Sequence, residues 1–543
     1  MRSCVFFLIG FLATGWGMAA TLPDNMYFRA MKDEMQRNLK QLRLKGHPNP
    51  YYISYRLEHG KRLNIAANMG ALVPAVYDPR DKGSITATAF VSVGSDKQDG
   101  LGFSDGERSS GLPDNSVWPS YYAIRQGLWQ LTDEAYLKAV DLYEKKMAYK
   151  QKKNIQDPLP SVMPSTPAQV VQLEEPSVWP DVERLKTEVE QISALGKSLP
   201  FVESFDANLY IAQWNIYYLN SRGAFTQHAY WVFRFSIEAL FRQTDGKQSN
   251  KSTVMWLPDV SVSEMARARQ YAQDFLDRIE QAHGAKSGTA YTGPVLLKPK
   301  AAARMLDESV LKDLVNTKPL LLAYTDNDKN AGKLYQKRSV RVSTNLLSIY
   351  DRPLTRSFEG IPLARFMPVD DEGVAAQNLT LIANGFVQDF PLTQRPLNKQ
   401  HRSNGHAALS RIYGPREELT NVFVEPKEQW TDAQMEEKLR DHCRELGLEY
   451  GYILHDEDPA GDLGIERIYT ADGRKETILN LQWDGNFFTQ RDLRSVLAVG
   501  GKKELVDNYS DVVRIVPSIL LEEAELVPQE HKPHRQPFVH RPR

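Results

Sequence analysis

Between Gly293 and Val315 an apolar run, Val295-Leu296-Leu297, passes through Lys298-Pro299-Lys300 into a helix-like stretch on which Ala301, Met305, Val310 and Leu314 recur. That stretch carries three side chains able to do chemistry: Asp307, Glu308 and Lys312. Asp307 could ligate a cation, but a protonated Lys312 offers no lone pair and repels one. Without a metal, Glu308 reads as a solvated or salt-bridged helix acid, with Lys312 four residues on as a partner.

A second acidic group, Asp370-Asp371-Glu372-Gly373, could hold a divalent cation through carboxylate oxygens. Adjacent side chains point apart in an extended chain, however, and the spacing of a calcium loop is absent, so the group reads as an acidic turn between strands. His401 and His406 are five apart, and a plain helix would separate them by about 140°. His455 precedes Asp456, Glu457 and Asp458 and could form a surface cation site, while His531, His534 and His540 lie in a proline-rich tail suited to adventitious metal binding. Cys443 shares a helical face with Met435, Leu439 and Leu446 and is expected to be an inert core residue. There is no GxSxG, GxxxxGK[ST] or strand-borne GxGxxG, and the basic glycine turn Val499-Gly500-Gly501-Lys502-Lys503 lacks phosphate-loop spacing.

The elements that must position these groups belong to an ordinary globular chain of 543 residues, 42% hydrophobic and 25% charged, long enough for two or three domains. A net charge of −1 leaves no footprint for nucleic acid. Residues 1–20 read as a secretory signal: Arg2, an apolar stretch Val5 to Ala13, and small residues Gly17 to Ala20 for cleavage. The stretch is short for a span of ~20 apolar residues. The expectation is an exported, periplasmic protein with no membrane attachment after cleavage, the alternative being an uncleaved anchor. Only Cys443 then remains, which rules out an internal disulfide.

From Asn49 to about Gly106 the chain favours strands punctuated by Gly and Asp turns, and Trp118 to Lys153 favours a helix. Residues 157–181 contain six prolines and read as a linker or extended arm. Asn220-Ser221-Arg222-Gly223 reads as a hairpin turn, and Ser261 with Glu264 as the start of a helix closed by His283-Gly284. Strands and turns then dominate. The expected organisation is α+β: a signal over 1–20, a mixed α/β domain over 21–290, a strand-dominated barrel- or sandwich-like domain over 291–526, and a disordered tail over 527–543.

Several short segments together resemble the TldD/PmbA family. Leu219 to Gly223 is similar to its NSxG hairpin, Val369 to Gly373 with Leu381 to Phe390 resembles its DDEG…LIxNG pattern, Arg402 to Gly405 its glycine-containing turn, and Thr420 to Phe423 its TNxY segment. They keep the family's order over roughly Asn49 to Leu526. The unit at Gly293–Val315 resembles the place where zinc-bearing members carry HExxxH. Laid over that motif, this chain reads Asp307-Glu308-Ser309-Val310-Leu311-Lys312, so the glutamate is kept and both histidines are replaced.

The resemblance implies a metallopeptidase scaffold whose zinc is held by those two histidines and a cysteine near the C-terminus, the glutamate acting as general base. The region aligned with that cysteine, Val512 to Ser518, has none. The expectation is therefore no cofactor, and a zinc-free subunit that binds unfolded or extended peptide and pairs with a zinc-bearing paralogue or with itself. Two alternatives stand beside it. One is an active metallopeptidase using Asp307 and Glu308 with a histidine from a distant loop. The other is a stand-alone periplasmic peptide-binding or assembly factor.

Overall fold

A computed structural model describes residues 21–74, 83–103, 116–117, 119–156, 159–172, 179–244, 246, 248–315, 321–322, 333–336, 340–410, 414–455, 464–483, 488–508 and 512–528. The signal at 1–20, Asp456 to Asp458, residues 157–158 and 173–178 of the proline-rich stretch, and residues 529–543 of the tail lie outside them.

The first sheet has eight strands and is built on three long ones. Pro50–Asn68 pairs antiparallel with Val202–Asn220, which turns into Phe225–Arg242. The expected turn closes that hairpin. The Asn220 carboxamide oxygen accepts the N–H groups of Arg222 and Ala224, each at 3.0 Å, and Gly223 takes φ +92°. Side chains alternate across the sheet. On one face Ile53, Tyr55, Leu57, Tyr217 and Leu219 pack under helices Met26–Gln41 and Tyr121–Lys153. Further along the same face, Leu63, Ile65, Leu209 and Ile211 pack under Val182–Ser193 and Val262–His283. Ser120 and Ser261 cap two of these helices through their hydroxyls.

Strand 50–68 runs straight through Gly60. A Cβ there would sit 2.6 Å from the Trp214 ring, so the glycine is required by close packing. The chain reverses later, at Met69-Gly70, both with positive φ. Residues 159–172 of the proline-rich stretch form an extended arm. Its backbone bonds to Lys97, Asp96, Gln394 and Gly373, and Gln169–Gln172 joins the sheet parallel to strand 225–242.

The second sheet has twelve strands around Val513–Pro528, which pairs antiparallel with Tyr291–Leu297 and parallel with Asn421–Pro426. It is open, its path ending at Phe386–Val387 and Lys286–Ser287, and is not closed into a barrel. Helix Asp432–Glu445 covers one face through Met435, Leu439 and Cys443 against Leu296, Ile453 and Leu520. Helix Pro299–Leu306 covers the other through Ala302 and Met305, with Leu297, Leu454 and Ile519. The basic glycine turn at 499–503 is a bulge inside strand Val496–Asp507, where three residues of strand 513–528, Pro517 to Ile519, face five. The α+β organisation expected from sequence is present.

Candidate functional site

Asp307, Glu308 and Lys312 leave the helix at a point where its winding changes. After Pro299–Leu306 the backbone forms a π turn over Asp307–Leu311, and the Lys312 N–H donates to the Asp307 carbonyl five residues back. Such a turn stacks residues five apart, which an α-helix would separate. Positions 307 and 312 therefore share a face, the geometry that two ligands with this spacing need.

The side chains on that face are committed elsewhere. Arg514 Nε lies 2.7 Å from one Asp307 carboxylate oxygen and 2.8 Å from the other. Burial raises the Asp307 pKa, and Arg514 opposes that shift. Arg514 comes from strand 513–528, the region where the resemblance places a ligand cysteine. Glu308 forms its ion pair with Arg304, four residues earlier, at 3.0 Å, and not with Lys312 as expected. Its other oxygen accepts the Phe488 N–H at 3.0 Å. Zinc needs neutral nitrogen or thiolate donors with one position open. A carboxylate neutralised by arginine, a lysine and no cysteine do not make that set.

The candidate histidines are not brought to Asp307. His401 Nε2 lies 2.7 Å from the Thr393 carbonyl, His406 Nε2 lies 3.3 Å from Asp351, and His455 Nε2 lies 3.0 Å from Glu466. Among the described residues no three His, Cys, Asp or Glu side chains converge as a metal site. Cys443 is fully buried, and burial pushes its thiol up to about 11.

The acidic turn 370–373 is buried where the first sheet meets Gln394 and the small hairpin Ala407–Glu417 of the C-terminal half. Asp370 accepts the N–H groups of Glu372, Val374 and Ala407 at 2.8–3.0 Å. Asp371 forms an ion pair with Arg56 on strand 50–68 at 2.7 Å and accepts the Leu409 N–H. Glu372 accepts the Gln394 N–H at 2.6 Å, and its carbonyl accepts from Asn220 Nδ2 at 3.2 Å. Gly373 has φ +82°, and a Cβ on it would meet the Ala224 methyl and Asn220 Nδ2. Desolvation raises Asp370, to about 7, and Glu372 further above its usual value; each also feels a neighbouring acid. Beyond Arg56, His228 is pushed down to about 3 by burial and by that guanidinium.

The other motif segments serve the same frame. Asp351 accepts the Thr420 and Asn421 N–H groups, both at 2.9 Å, and Asn404 bonds the backbone of Phe390 and Leu392. The group 370–373 is an acidic turn, as its spacing suggested, with its carboxylates occupied by backbone donors and an arginine. Arg514 and Arg56 were missed as partners. Neither stands out in the sequence: strand 50–68 also carries Glu58, Lys61 and Arg62, and strand 513–528 carries Glu522, Glu523 and Glu525.

Residues 290–527 match the family described as the PmbA/TldA metallopeptidase C-terminal domain. No curated protein matches the chain. Solved structures share its fold. TldE from Thermococcus kodakarensis is 14% identical with a TM-score of 0.56, covering 92% of this chain and 100% of that one. A protein described as a candidate modulator of a DNA gyrase from Thermotoga maritima is 13% identical, TM-score 0.57, with the same coverage. One so described from Bacteroides thetaiotaomicron is 12% identical, TM-score 0.53, over 92% and 98% of the two chains.

Proposed function

We propose, from the premise that this chain belongs to the TldD/PmbA family through its C-terminal domain, that it is a zinc-free member acting as a peptide-holding partner rather than as a hydrolase. The observation that carries the reading is the ion pair between Asp307 and Arg514. The strand, helix and π turn of a ligand-bearing unit are kept, while a fixed guanidinium takes the charge-balancing role that a metal would have.

Peptide holding needs backbone donors and acceptors at a sheet edge, not a metal. Strand Gln248–Trp256 supports it: among the described residues it pairs on one side only, with strand 225–242. The export expected from residues 1–20 places such binding outside the cytoplasm, and the partner is a zinc-bearing paralogue or a second copy.

The test is metal analysis of the purified protein with a peptidase assay. The expected result is no stoichiometric zinc and no chelator-sensitive cleavage. Stoichiometric zinc, with peptidase activity abolished by a chelator, overturns the reading and favours the metallopeptidase with substituted ligands. Co-purification with a paralogue, or self-association, separates a paired subunit from a stand-alone factor.

A further inference from the structure

A cavity of about 290 Å³ lies where the edge strand Gln248–Trp256 meets the start of helix Pro299–Leu306. Lys251 and Thr253 reach it from the strand, Tyr271 and Arg278 from helix 262–283, and Lys298 and Lys300 from the C-terminal half. Its lining holds two carboxylates, Asp432 and Glu504. Both already face a lysine: Lys298 Nζ donates to Asp432 at 3.0 Å and Lys502 Nζ to Glu504 at 3.2 Å. Of the four cationic side chains in the lining, Lys251, Arg278, Lys298 and Lys300, only Lys298 has carboxylates beside it, Asp432 and, at 3.9 Å, Glu436. Among the described residues neither Lys251 nor Arg278 forms an ion pair with a carboxylate.

Like charges gathered in a partly enclosed, low-dielectric cleft repel unless an anion joins them. Two hydroxyls hold one of the lysines in place: Lys300 Nζ donates to Thr253 Oγ1 at 3.1 Å, and Thr253 is hydrogen-bonded to Tyr271, whose hydroxyl donates to the Val254 carbonyl. The helix beginning at Pro299 has no side-chain cap at Lys298, so its positive end adds to the field.

We infer that this cleft is a binding site for a dianionic oxyanion, the phosphate group of a small ligand. A phosphate brings more negative charge than a single carboxylate and offers acceptors to the lysines and the arginine together. Peptide binding is not required for it.

Calorimetric titration of the full chain with inorganic phosphate in chloride buffer tests it, with acetate as the monoanion arm. The expected result is saturable one-site binding of phosphate, with acetate weaker by at least about tenfold. The double variant Lys251→Met, Lys300→Met should weaken phosphate binding by at least about tenfold while its Tm without phosphate stays the same or rises, because repulsion is removed. Arg278→Gln, at a partly exposed helix position that lines the cavity, gives a second variant with the same expected loss. Absence of saturable phosphate binding, unchanged binding in both variants, or acetate bound as tightly as phosphate overturns the assignment.

Discussion

Asp307 and Arg514, 207 residues apart in the chain, meet at 2.7 Å and close the face of the π turn with an ion pair. Both side chains keep partial solvent contact, 33% and 20% exposed, so the pair is expected to be modest in energy. Arg514→Ala should cost at most about 1 kcal/mol, and a double-mutant cycle with Asp307→Asn should return a coupling of the same order by urea unfolding.

The π turn itself can be tested by restoring donors. Asp307→His with Lys312→His should raise zinc affinity by at least about tenfold over the parent chain, because the i→i+5 winding stacks the two rings. Competition against a chromophoric chelator measures it. An unchanged affinity would mean that 307 and 312 do not share a face.

The buried acids give the chain a pH signature. A carboxyl whose folded pKa is raised stabilises the fold while protonated and penalises it once ionised. The penalty from Asp370 therefore grows as pH rises from its unfolded value near 4 through its folded value of about 7, and Glu372, also raised, adds a penalty of the same sign. The Tm should fall from pH 5 to 9. Glu372→Gln puts a neutral isostere where burial opposes ionisation, so its Tm should gain on the parent's as pH rises. A parallel decline in both proteins would refute the role of Glu372.

Gly373→Ala combines a left-handed φ with a Cβ pressed against Ala224 and Asn220, where the first sheet meets the C-terminal half. The expected cost is about 2 kcal/mol or more. Asn220→Ala removes a side chain that bonds two backbone N–H groups, Tyr52, Tyr218 and the Glu372 carbonyl, with a similar cost. Both variants should also become more sensitive to limited proteolysis at that contact.

Cys443, buried beside Tyr291 with its thiol pushed up to about 11, should resist a soluble disulfide reagent at pH 8 in the native protein and react on unfolding. Peptide mass mapping of the labelled cysteine decides it.

The sequence by itself determined what depends on a few neighbouring residues. The turn at Asn220–Gly223, the helix opening at Ser261, the inward face of Met435, Leu439 and Cys443, and the order of the family-like segments were all legible from turn chemistry, capping and periodicity. The change of Asp307 and Lys312 was legible too, as residue types that do not ligate zinc. Tertiary structure alone decided that Gly60 is a contact, because only strand register sets Trp214 opposite it. It decided that Asp307 is held by Arg514, that residues 370–373 join the first sheet to the C-terminal half, and that four cations from three separate stretches of chain line one cavity. These pairings join residues far apart in sequence. They follow from register and from how the sheets pack, which no local pattern encodes.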